Sequence, residues 1–115
     1  MLKYFKHVLK ASRFACSGFV QALRHELAFQ IEIVIAPVAI VIALFCPVSR
    51  LEKMLLICSV LLVLIAELFN TAIEATIDRI SLDAHPLSKQ AKDYAAAAVG
   101  FTIVNAVVVW GFIIL

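Results

Sequence analysis

Glu67, Asn70, Glu74 and Asp78 stand at i, i+3, i+7 and i+11 in a chain of 115 residues. At about 100° per residue that spacing confines all four to one narrow stripe of a helix. The residues just before them, Met54 to Ala66, are apolar except for Ser59, so the stripe emerges directly from a hydrocarbon-like segment. A charged side chain at the centre of a bilayer costs about 2.5–3.5 kcal/mol on insertion scales, and intramembrane acids therefore point to function. Such a stripe cannot face lipid; it faces a polar cleft or a neighbouring chain. Three kinds of chemistry fit it. The acids pair with Arg or Lys of a partner helix for assembly, or they line a proton or cation pathway, or they hold Mg²⁺ for a phosphoryl donor, since magnesium takes one or two carboxylates together with phosphate oxygens and water. A pathway wants an acid near mid-membrane, whereas this stripe runs from Glu67 outward to one surface.

Phosphoryl transfer needs a cation on the transferred phosphate, a base aligned with the acceptor hydroxyl, and a positive side chain for the charge that develops on the equatorial oxygens. Glu26 and Glu74 can supply the metal, Glu67 lies deep enough to meet a lipid hydroxyl as base, and Lys92 falls just outside the last apolar segment.

Composition fixes the setting of these residues. Hydrophobic residues make up 64% of the chain and charged ones 16%, against roughly 45–50% and 25% in an ordinary soluble domain. A soluble enzyme is the poorer reading, and the length leaves no room for a separate substrate lobe. Neither a Walker pattern nor G-x-G-x-x-G is present. The three cysteines, Cys16, Cys46 and Cys58, form no C-x-x-C and sit in apolar stretches, so they read as small packing residues. A net charge of +2 is too small to suggest nucleic acid.

The elements that must position the site follow from periodicity. Over residues 2–29, apolar positions recur at three- and four-residue steps opposite Lys3, Lys6, Lys10, Arg13 and Arg24, the pattern of an amphipathic helix lying in a membrane interface or packed on the rest of the chain. The basic residues that interrupt each apolar run exclude a cleaved signal. Residues 31–48 form a first span broken only by Glu32, with Pro37 kinking rather than ending it. A short polar connection leads to a second span over 54–80, which extends beyond the membrane. A second polar stretch, 81–93, precedes a last span over 94–115, whose one strongly polar residue is Asn105; Tyr94 and Trp110 read as interface anchors. The expected fold is all-α and integral to the membrane, one domain with a surface helix and three spans. With the N-terminus inside, eight of the ten Lys and Arg lie on the cytoplasmic side and only Arg50 and Lys53 outside. The C-terminus is then outside, and the acid stripe faces the cytoplasm.

Glu67-Leu-Phe-Asn70-Thr71-Ala-Ile-Glu74-Ala-Thr-Ile-Asp78-Arg79, followed by His85-Pro-Leu and Ala91-Lys92-Asp93, resembles the signature of the small prokaryotic diacylglycerol kinase family, which also contains undecaprenol kinases. Arg24-His25-Glu26-Leu-Ala-Phe29-Gln-Ile-Glu32 is similar to that family's segment entering the first span. The resemblance implies a homotrimer in the bacterial inner membrane, with active sites formed between protomers that move the γ-phosphate of MgATP to a lipid alcohol. It implies Glu67 as base and Glu26 and Glu74 as Mg²⁺ ligands. Lys92, Asp93 and the segment Asp83-Ala84-His85 would contact ATP, with His7 and Phe14 as further contacts, and Asn70 and Ala96 would meet the lipid. His7 stands where the family has a basic residue, so Lys6 or Lys10 can take over a phosphate contact. Ala95-Ala96 resembles the undecaprenol form, while Ala75-Thr-Ile-Asp78-Arg79-Ile80 is closer to the diacylglycerol form. The expected acceptor is diacylglycerol, with undecaprenol as the alternative and a small membrane transporter or structural oligomer as the non-enzymatic rival. Each remaining polar residue also has a plainer role: His25 as an interfacial group, His85 as a cap on the helix that Pro86 opens, and Glu32 as a side chain that snorkels or lines the lipid cleft.

Overall fold

The computed structural model describes residues 1–115 as four helices without strands: α1 (Leu2–His25), α2 (Leu27–Phe45), α3 (Arg50–Ile80) and α4 (Pro86–Ile114). α2, α3 and α4 are each long and apolar enough to cross a membrane, with mean hydropathies of 2.5, 2.3 and 2.2 in their most apolar windows. At about 1.5 Å per residue even the shortest of them reaches across hydrocarbon.

α3 packs most extensively on α4 and next on α2, while α1 touches α2 only sparsely. The chain measures 50 × 45 × 24 Å. Small residues, Ala36 and Ala43 on α2 and Ala95 on α4, share the helix seams with larger ones. Phe29, Ala36 and Ala43 recur every seven residues on α2, and Ala95 and Val99 lie one turn apart on α4; all are buried. The buried alanines let backbones approach closely, which is how helices associate where lipid is as apolar as the interface. Pro37 lies inside α2, and the helix continues through it.

The helix ends explain where the site falls. α1 and α2 do not run together to residue 29: the helix breaks at Glu26, whose backbone is extended (φ −112°, ψ 108°). The Gln30 side chain donates across the corner to the Leu23 carbonyl at 2.8 Å, and Phe19 meets Phe29 edge to face at 5.7 Å. α2 stops at Phe45, just before Cys46-Pro47. α3 starts four residues before Met54 because Ser49 and Glu52 form a capping box, their two reciprocal bonds measuring 3.0 and 3.1 Å. Lys53 reaches back to the Leu44 carbonyl at 2.8 Å, placing a cation at the negative end of α2.

α4 starts well before Tyr94. His85 caps it, its Nδ1 accepting from the Leu87 amide at 3.1 Å, and Pro86 occupies the first helical position, where its missing N–H costs nothing. Residues 86–93 are thus two turns of polar helix, and the connection between α3 and α4 shrinks to 81–85. At the other end of the hairpin the Trp110 indole donates to Ser59 Oγ at 3.1 Å. Trp110 therefore joins α4 to α3, a bond its reading as an interface anchor does not foresee.

Candidate functional site

α3 carries the acid stripe as its spacing requires. Glu67 is buried, Asn70 and Glu74 are half-buried and Asp78 is exposed, so the stripe climbs from the helix seam to the surface. The Asn70 amide donates to Glu74 Oε1 at 3.2 Å, one turn along. Asn70 Oδ1 is left buried without a partner, as is Glu32 Oε2 on α2. An orphaned buried acceptor costs about 1–3 kcal/mol, so these two oxygens mark a place where a ligand or another chain completes the polar surface.

Glu26 and Glu74 both lie within electrostatic reach of Glu67, and Glu32 also faces Glu67. Glu67 thus shares its electrostatic surroundings with carboxylates of the α1–α2 corner, α2 and α3. The break at Glu26 makes this possible. Its carboxylate caps neither helix and borders a groove of about 710 Å³ between α1 and α3, beside Ala22, Leu68 and Ala72. No group of three or more His, Cys, Asp or Glu side chains converges on one point. An all-protein metal cage is therefore absent, but a pair of carboxylates with open positions suits a Mg²⁺ that keeps phosphate oxygens and water in its shell.

A second groove, of about 650 Å³, opens at the connection between α3 and α4. Asp83, Ala84, His85, Lys92 and Asp93 all line it. The segment 81–85 supplies one wall and the first turns of α4 the other. Asp83 is held by its own amide bond to Ser81 Oγ at 3.0 Å. Because Nδ1 of His85 is the helix cap, only Nε2 is free to meet a ligand in the groove.

Neither Lys92 nor Asp93 stands alone. Lys92 Nζ is 2.8 Å from Asp78 Oδ1 across the hairpin, and Lys89 Nζ is 2.6 Å from Asp93 Oδ2 one turn back. Lys92 also lies within electrostatic reach of Glu74, which connects the loop groove to the carboxylate cluster. Lys89 and Asp78 line the groove too; Asp78 belongs to the acid stripe and the motif without an assigned role there, and Lys89 is absent from the residues singled out by motif. The Lys89–Asp93 spacing of four was available as a signal. The pairing of Asp78 with Lys92 spans fourteen residues and two helices, and no local pattern announces it.

Three expected residues lie apart from this centre. His7 lines a separate groove of about 490 Å³ with Lys3, Tyr4, Lys6 and Lys10. Phe14 is exposed, with the Lys10 ammonium 5.9 Å from its ring centre. Ala96 is exposed on α4, next to the buried Ala95.

Residues 13–114 match the family model described as prokaryotic diacylglycerol kinase. Diacylglycerol kinase of Pseudomonas aeruginosa is 44% identical over 110 residues, covering 96% of this chain and 89% of its own length. Diacylglycerol kinase of Escherichia coli strain K12 is 42% identical over 106 residues, 92% and 87% of the two chains. That of Haemophilus influenzae is 35% identical over 108 residues, 94% and 92%.

Proposed function

The chain belongs to the prokaryotic diacylglycerol kinase family and is a lipid kinase of a bacterial membrane, and from that premise we propose that it transfers the γ-phosphate of MgATP to 1,2-diacylglycerol, giving phosphatidic acid. The observation that carries this reading is the run of the α3 stripe from buried Glu67 through Asn70 and Glu74 to Asp78, where Lys92 of the loop groove bonds it at 2.8 Å.

Glu67 serves as general base. It is buried in the seam of α3 at the start of the polar stripe, so a hydroxyl held at the hydrocarbon boundary can give it a proton as the oxygen attacks phosphorus. Asn70 orders base and acceptor: its amide group is fixed on Glu74, and its Oδ1 has no partner within the chain. Ala96 lies against the lipid. Glu26 and Glu74 would hold Mg²⁺, which supplies neutralisation of charge on the β- and γ-phosphates. Lys92 offers its ammonium to the equatorial oxygens of the transferred group. Asp93, Asp83, Ala84 and His85 border the nucleotide in the loop groove, with His7 and Phe14 as outlying contacts from α1.

The protein is a homotrimer in this reading, a single membrane domain in the inner membrane. α1 lies in the cytoplasmic interface, the N-terminus is inside and the C-terminus outside. The orientation places the carboxylates on the side where ATP is available. The names of the relatives favour diacylglycerol over undecaprenol as acceptor.

Purified protein in mixed micelles is expected to phosphorylate diacylglycerol with MgATP, and faster than undecaprenol offered side by side. Glu67→Gln preserves size and hydrogen bonding while deleting basicity. It is expected to lower kcat by at least about a hundredfold with KM little changed. A folded variant with full activity would remove Glu67 from the role of base, and preference for undecaprenol would replace the acceptor.

A further inference from the structure

Asp78 is the one member of the acid stripe that a cation of the same chain neutralises. Its Oδ1 holds Lys92 Nζ at 2.8 Å, from α3 to α4 across the 81–85 connection. Both side chains are about half exposed (40% for Lys92 and 48% for Asp78) and both border the loop groove. An exposed pair of this kind contributes little to fold stability, so a stability role accounts poorly for it. Its geometric consequence is larger. A lysine ammonium sits on four rotatable carbons and sweeps a wide volume; tied to α3, it stays beside the wall that also carries Glu74, one turn away, within electrostatic reach.

We propose that Asp78 is a positioning residue for phosphoryl transfer, holding Lys92 over the α3 wall of the loop groove so that its ammonium meets the transferred phosphate in line with Glu74. The proposal rests on the kinase reading and on the role of Lys92 within it. In this role Asp78 acts through the lysine. It also stands where the phosphates arrive, so its negative charge opposes nucleotide binding slightly. Its removal therefore loosens the lysine and lightens the repulsion together. The signature is a fall in kcat without a rise in KM for MgATP, because an interaction lost mainly in the transition state appears in kcat.

The test measures kcat, KM for MgATP and thermal unfolding of the full-length protein in mixed micelles for Asp78→Asn, Asp78→Glu and Lys92→Met. Asp78→Asn is expected to lose at least about tenfold in kcat with KM unchanged or lower and an unfolding midpoint near that of the parent. Asp78→Glu, which keeps the charge on the same wall, is expected to recover to within about threefold of the parent. Lys92→Met is expected to lose more than Asp78→Asn, and the double variant no more than Lys92→Met alone. Parental kcat in Asp78→Asn beside a crippled Lys92→Met overturns the positioning role and leaves the kinase reading standing. Full activity in Lys92→Met removes the role of Lys92 and with it the positioning role of Asp78, again leaving the kinase reading standing. Equal losses of unfolding midpoint and of activity in Asp78→Asn and Asp78→Glu assign Asp78 to structure and overturn the proposal.

Discussion

At the scale of single residues, His85 shows how one side chain serves two ends. Its Nδ1 closes α4 by accepting from the Leu87 amide, while the ring edge borders the loop groove. The two duties separate by substitution. Asparagine is among the best N-caps, whereas alanine forfeits a cap worth about 1 kcal/mol. His85→Ala is expected to lower the unfolding midpoint and raise KM for MgATP severalfold. His85→Asn is expected to raise KM as much with the midpoint restored. Parental KM in His85→Asn, measured by initial rates over a range of MgATP, would leave His85 with the cap alone. Asn70 is the counterpart deeper in the bundle, with its amide committed to Glu74 and its oxygen free.

At the scale of elements, the α3–α4 hairpin is pinned near both ends: by Asp78–Lys92 at the polar end and by Trp110–Ser59 at the other. Ser59 Oγ also donates to the Leu56 carbonyl at 2.7 Å, so Trp110→Phe removes one bond without stranding the hydroxyl. The expected cost is about 0.5–1.5 kcal/mol, the net worth of an ordinary hydrogen bond. Because the bond lies far along α3 from Glu67, activity should stay at the parental level. Thermal unfolding in micelles alongside initial rates checks both statements, and a large loss of kcat would show the far end coupled to the site. These pins also show what a sequence conveys. Apolar periodicity reveals the three long helices, and the stripe from Glu67 to Asp78 is visible because all its members share one helix. The corner at Glu26 carries no Gly or Pro to announce it, and polar residues 86–93 read as a loop because polarity reports solvent rather than the absence of a helix. Asp78 finds Lys92 only once the connection has set how the two helices face each other. The carboxylate cluster is likewise half legible: Glu67 and Glu74 belong to one pattern, but Glu26 and Glu32 join them through packing.

At the scale of the whole molecule, only nine of the 115 residues are buried within one chain. Lipid accommodates the apolar remainder, but it does not accommodate Asn105. That side chain is exposed on α4 in the middle of an apolar run from Tyr94 to Leu115, flanked by exposed Phe101, Val104, Val108 and Phe112. An amide facing hydrocarbon without a partner costs several kcal/mol. The proposed homotrimer resolves this by turning the face with Asn105 toward a second copy, whose polar groups complete it. Such interhelical bonds measure about 0.6 kcal/mol on average and up to about 1.7 in membranes. Asn105→Leu is then expected to weaken the assembly by an amount in that range per bond. It should do so without touching the acid stripe, which lies on α3. The measurement is the mass of the protein in micelles as denaturing detergent is titrated in. The parent should hold three copies to a higher detergent fraction than Asn105→Leu, and kcat per assembled trimer should match. A more resistant Asn105→Leu assembly would place Asn105 against lipid, where leucine is the better residue, and would move the contact between copies to another face of the bundle.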